Sequence, residues 1–307
     1  MATGVGAKYW QQVVGIGSAS PVTKQLQNVN CSIGRRGAHI TKDGARGSRS
    51  MRDTTTADGP YTVGGGLAVQ PADDEWDALL PFINGGTRSG AGTGGDPYLY
   101  PLADTLPAFY VAQEKIAKVP EWAGCKVNRA VIRSSAASPV LTCEMDVQGK
   151  TETLGNSGTF PAISGTLTTD QPFLHQQLVC TLNSVVVLVD DVVLTIDNML
   201  GLDRFLNSQT RTDLPEHGRL ITLDIANPFN ATDVALYNIA VAGISGSLVY
   251  TNGSRVLTFS FANLKAPPDV IESAARGEAM LRLKFVAYET ASLKELVTSL
   301  VVATPTP

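Results

Sequence analysis

From Leu141 to Gln148 apolar and polar residues alternate without a break: Leu141, Cys143, Met145 and Val147 interleave with Thr142, Glu144, Asp146 and Gln148. A period of two predicts a strand with one buried and one wet face. The pattern returns at Leu257, Phe259 and Phe261, which alternate with Thr258, Ser260 and Ala262, an offset of 116 (257 minus 141). Leu174 to Thr181 also matches Leu281 to Tyr288, and Val189 to Ile196 matches Leu296 to Ala303, both at an offset of 107 (281 minus 174). A longer Gly-rich loop in the first copy, 149–171, absorbs the difference. Between the copies runs Val185 to Thr212, rich in β-branched residues until it breaks at Asp190-Asp191 and then turns polar. It reads as a hairpin or bent strand closing one sheet, followed by a linker into a second unit. Self-similarity of this kind predicts an internal duplication.

Shorter patterns fill in the rest. Leu67 to Val69, Phe109 to Val111, Cys125 to Arg133 and Leu220 to Ile225 read as further strands. Asp73-Asp74-Glu75 opens a short helix whose Trp76, Leu79, Leu80 and Ile83 share one face, the acids suiting its positive N-terminal end. A second helix is expected after Asn230 or Thr232, carrying Val234, Tyr237 and Ile239. Near Leu293 a helix end is expected to run into a final strand. The Gly-rich stretch 84–97 reads as a mobile loop, since neither GxxxxGK[ST] nor a strand, GxGxxG, helix order is present. The expected fold is mainly β, with an N-terminal arm over 1–33 and two tandem β-sandwich or barrel domains over 34–200 and 201–307, each with a short helix.

Composition agrees with a globular β protein of 307 residues: 43% hydrophobic and 17% charged, with 29 Gly and 17 Pro. A net charge of −4 and a pI near 5.4 argue against binding nucleic acid by phosphate neutralisation. No apolar run approaches the roughly 20 residues that span a bilayer. The four cysteines, Cys31, Cys125, Cys143 and Cys180, lack CxxC spacing and read as buried thiols. The histidines His39, His175 and His217 show no metal spacing, there is no GxSxG elbow, and neither an enzyme nor a cofactor is expected. Arg35, Arg36, Lys42, Arg46, Arg49 and Arg52 form a basic run. It is read as a solvated loop or, more sharply, as a subunit contact or a nucleic-acid contact; for a subunit contact, Asp73, Asp74, Glu75 and Asp77 are the acids it would meet.

The stretch LTIDNMLGLDRFLNSQTRT, with GCKVNRAVI before it and GRLITLDIANPF after it, resembles the major tail tube protein of long, non-contractile-tailed bacteriophages. RSMRD, VGGGL and EWDALLPFINGG extend the resemblance, which spans most of the chain from Gly34. It implies a protein made in the host cytoplasm and built into the virion tail. Its strands would join neighbouring copies into rings that stack into a tube, meet other tail proteins at the tube ends, and conduct DNA without binding it specifically. Two copies of the domain per chain favour a trimeric, pseudo-sixfold ring, with a hexamer as the alternative. The face of Thr142, Glu144, Asp146 and Gln148 is the candidate for the lumen. The competing class is a β-sandwich binding module, for carbohydrate for example, which would stay monomeric.

Overall fold

The computed structural model describes residues 13–41, 56–115, 118–156, 163, 168, 170–228, 242–266 and 280–303. The first strands are β1 (Val13–Gly17), β2 (Lys24–Leu26), β3 (Asn28–Cys31), β4 (Gly34–Thr41) and β5 (Thr56–Val69), followed by helix α1 (Asp73–Asn84). Then come β6 (Tyr98–Pro101), β7 (Phe109–Glu114), β8 (Lys118–Ser135), β9 (Thr142–Gly149), β10 (Thr151–Asn156), β11 (Leu178–Leu182), β12 (Val185–Val187) and β13 (Asp191–Asp197). The last five are β14 (Leu220–Pro228), β15 (Ile244–Asn252), β16 (Arg255–Lys265), β17 (Met280–Tyr288) and β18 (Leu296–Val301). The protein is mainly β, as its alternating patterns predict.

Antiparallel pairing arranges these strands in two main layers. The first runs β4, β5, β9, β8, β13, β14, β17. The second runs β12, β11, β15, β16, β18, β6. A corner joins them where Asn263 to Lys265 of β16 pair with β17. A smaller sheet of β2, β1 and β7 continues into the first half of β8, which also pairs with β10. β8 serves both sheets because it bends at Gly124, whose φ of +64° lies in the left-handed region that glycine tolerates. The apolar faces of the two layers meet in one core, with Met145, Ile132, Leu194, Leu223 and Phe285 on one side and Leu248, Leu257, Phe259 and Leu300 on the other. Burying such a side chain contributes about 1.5–3 kcal/mol.

Helix α1 lies against this core. Trp76 meets Phe259 edge-on at 6.3 Å, and Phe82 stacks on Phe109 at 4.5 Å. Its first N–H group, from Ala72, donates to the Glu75 carboxylate at 3.0 Å. Gly85 ends it in the left-handed region at φ 86°. Buried amides then stitch the helix to both layers. Asn84 Nδ2 donates to Tyr100 O and to Thr298 Oγ1, and Asn198 Nδ2 donates to Ile83 O and Val127 O.

The break at Asp190-Asp191 marks a change of layer, because β12 pairs in the second layer and β13 in the first. Strand pairing crosses residue 200: β13 pairs with β14, β11 with β15, and β6 with β18. Other expectations change. The matched hairpins also lie in opposite layers, β8 and β9 in the first and β15 and β16 in the second, so the wet faces of β9 and β16 point in opposite directions. Leu67 to Val69 is the end of a 14-residue strand. The segment expected as a mobile loop, 84–97, is pinned. Ser89 pairs with Leu99, Val302 N donates to Gly92 O, and Arg88 bridges Asp77 while lying 4.2 Å from the centre of the Tyr98 ring. Leu293 leads into β18 with no helix before it. The helix expected over 230–239 lies outside the described residues.

Candidate assembly surfaces

On the wet face of the first layer, paired residues of neighbouring strands line up in rows. One row reads Ala68, Glu144, Val131, Thr195, Thr222, Val286, and the next reads Thr142, Arg133, Val193, Asp224, Lys284. Thr142, Glu144, Asp146 and Gln148 thus share one face, as the alternation of β9 predicts. Each basic group in these rows has an acid beside it. Arg133 Nη2 donates to Glu144 at 2.6 Å, Arg129 stands opposite both Asp146 and Asp197, and Lys284 stands opposite Asp224. Asp146 also accepts hydrogen bonds from Asn128 Nδ2 and Gln148 Nε2, each at 2.8 Å.

The acids proposed for the basic run are committed within the chain. Asp73 and Glu75 are 2% and 1% exposed. Asp73 accepts from Ala303 N at 2.9 Å and lies 3.6 Å from Arg255, while Glu75 accepts from Gln27 N and Ala72 N. Burial pushes both carboxyls above their ordinary range, against those hydrogen bonds. Asp74 pairs with Lys24. Asp77 holds Arg88 through both oxygens and accepts from Tyr100 Oη at 2.6 Å. The helix recruits these groups from far along the chain, so acids that look solvent-facing in sequence are structural. Of the bases, Arg35 and Arg36 lie on β4, at one side of the first layer, with Arg35 3.8 Å from the centre of the Tyr61 ring. Arg46, Arg49 and Arg52 lie outside the described residues.

Sequence reading missed a strap. Residues 198–219, expected as a linker, continue the β13–β14 hairpin: His217 N bonds Met199 O, Gly201 N bonds Pro215 O and Thr212 N bonds Arg204 O. The strap then folds across the end of the first layer. Tyr61 N donates to Gln209 O, Lys126 Nζ donates to Leu214 O and Glu216, and the Arg211 guanidinium, 6% exposed, donates to Leu202 O, Val63 O and Gln148 Oε1. Burial, the largest influence on Glu216, would raise its pKa, yet the Lys126 and Leu106 N–H bonds outweigh it and hold the carboxyl below its usual range. The signal was present in sequence as Arg211 inside a polar segment, but the partners that tie it to the sheet, Gln148 and Val63 O, lie 63 and 148 residues away.

At the opposite end of the same strands a cleft of about 590 Å³ opens between the β8–β9 turn, the start of β13 and the end of β14, lined in part by Arg133, Asp190, Asp191 and Arg282. Among the described residues no three metal-ligating side chains gather, and no helix is long and apolar enough to cross a membrane. None of the four cysteines is in a disulfide, and Cys31 is only partly buried. Burial pushes the Cys125 and Cys180 thiols up to about 12, far from reactive thiolates.

The fold is a two-layer β-sandwich whose polar groups pair with one another across one broad sheet face. The chain belongs to the phage tail tube protein family, whose sequence model matches residues 14–287. Its place is therefore the tail of the virion. No curated protein matches the chain.

Proposed function

We propose that this chain is the major tail tube subunit, with a structural and not a catalytic role, and that three copies close into a ring whose first layers form a continuous wall around a DNA-conducting lumen. The observation that supports this reading is the first layer itself. Its strands β5, β9, β8, β13, β14 and β17 carry a buried face and a wet face, and β4, exposed on both faces from Arg35 to Ile40, extends the layer at one side. At about 4.8 Å per strand and a tilt of roughly 40°, three copies give a backbone cylinder about 40 Å across, and six copies about 80 Å. Side chains of about 5 Å on each wall leave a bore near 30 Å for three copies, close to a duplex of roughly 20 Å whose grooves are about 8 Å deep. Closure through the outer strands β4 and β17 would also remove the sheet edges that otherwise invite aggregation.

In this arrangement Thr142, Glu144, Asp146 and Gln148 line the lumen, and Arg35 and Arg36 on β4 lie at the subunit boundary, with the rest of the basic run reaching a neighbouring copy. Since Asp73, Glu75 and Asp77 are engaged inside the chain, Asp74, whose side chain is 41% exposed, is the acid of the helix best placed to meet it. Other tail proteins would cap the tube ends. Native mass spectrometry of purified rings, with negative-stain imaging, tests the reading. Trimers with an open centre are expected; a hexamer would overturn the stoichiometry, and a monomer at high concentration would overturn the assembly.

A further inference from the structure

We propose that the tip of the 198–219 strap of one copy docks into the cleft at the opposite end of the first layer of a copy in the adjoining ring, making the contact that stacks rings into a tube. The inference rests on the ring reading above and names the surfaces that would join successive rings. Tip and cleft lie at the two ends of one strand: Asp191, which lines the cleft, begins β13, and Asp197, at its far end, leads into the strap. Head-to-tail stacking therefore turns the strap end of one ring toward the cleft end of the next. Such a contact is heterologous and repeats without closing, as a tube requires.

The tip is built to be held outward. Leu206 and Asn207 have φ of 44° and 63°, a left-handed conformation that leucine avoids, and Leu206 is 67% exposed. Strained, exposed apolar residues of this sort mark binding positions. Beside Leu206 stand Asp203 and Arg204, the latter half exposed and 3.8 Å from Asp213. The cleft offers the complement: Ala136 and Ala137 for the leucine, and Asp190 and Asp191 for Arg204. The occupant is thus a second copy of this chain, selected by charge as well as by shape.

The test compares wild-type protein with Leu206→Asp, Arg204→Glu and the exchanged pair Arg204→Glu with Asp190→Arg, imaged by negative stain, with ring mass and unfolding midpoint as controls on folding. Expected are tubes from wild type, loss of tubes with rings retained in the two single variants, and tubes regained in the exchanged pair. Tubes of wild-type length in both single variants, or wild-type rings that never stack, would overturn the docking while leaving the ring standing. Wild-type protein that forms no rings at all would overturn the ring reading and the docking with it.

Discussion

Arg211 shows what a single side chain contributes to this fold. Its guanidinium is buried, and backbone carbonyls together with Gln148 accept its hydrogen bonds. Arg211→Met should therefore strand several buried acceptors and cost about 2–4 kcal/mol in chemical denaturation; a loss under about 0.5 kcal/mol would mean that the strap holds without it. Lys126 and Glu216 give a pH-dependent counterpart. Glu216 is held below the ordinary Glu value, so its contribution is present above about pH 4.5 and fades as pH falls below that. With Lys126→Met the buried carboxyl loses its cation, so the expected deficit is about 2–3 kcal/mol at pH 7 and shrinks toward pH 4, where the carboxyl protonates. An equal deficit at both pH values would rule out the ion pair as its cause. At this scale the sequence was legible only where side chains follow a local period. Glu144 and Asp146 were placed on one face by alternation, whereas the burial of Asp73 depends on Ala303 N and Arg255, far along the chain.

Elements were more legible than their partners. The strand of Leu141 to Gln148 and the helix at Asp73 appear close to where their periodicities put them, since each pattern records a face already committed to the core. Pairing could not be read in this way. The run from Val185 to Ile196 is interrupted in sequence only by Asp190-Asp191, which reads as a hairpin or a bend, yet there the chain leaves one layer and enters the other, because both layers want the same β-branched faces inward. The glycines of the VGGGL motif carry a pairing signal that only the structure makes plain. β3 and β4 both flank β5, and at the turn between them the backbone passes so close that a Cβ on Gly65 would sit 2.4 Å from Ser32 O. Gly65→Ala should push that turn away, break the Ser32 to Gly66 hydrogen bonds and destabilise the protein by about 2 kcal/mol or more, read as a lowered thermal midpoint. A midpoint equal to wild type would show that β3 can shift at no cost.

At the scale of the whole molecule, the question for a conducting tube is how DNA passes without adhering. An acidic overall charge, −4, sets the background, but the arrangement on the first layer decides the outcome. In the proposed ring, Arg129, Arg133 and Lys284 would each face the lumen beside a carboxylate, so these three would offer a passing phosphate no unopposed row of cations with which to exchange its counterions. Glu144→Lys together with Asp146→Lys would reverse this. The change removes two acids, adds two bases and leaves Arg133 and Arg129 without their cross-strand acids on β9, producing a basic stripe that a ring repeats in every copy. Both positions are on the wet face, Glu144 between Ala68 and Val131 and Asp146 between Gly66 and Arg129, so neither change opens the core, and folding and tube assembly should persist. Purified double-variant tubes should retain duplex DNA at low salt and release it steeply as salt rises, by roughly tenfold or more between 50 and 200 mM, and phage carrying them should eject DNA more slowly. Tubes that bind no more DNA than wild type at low salt would place this face on the outside of the wall and remove the first layer from the lumen.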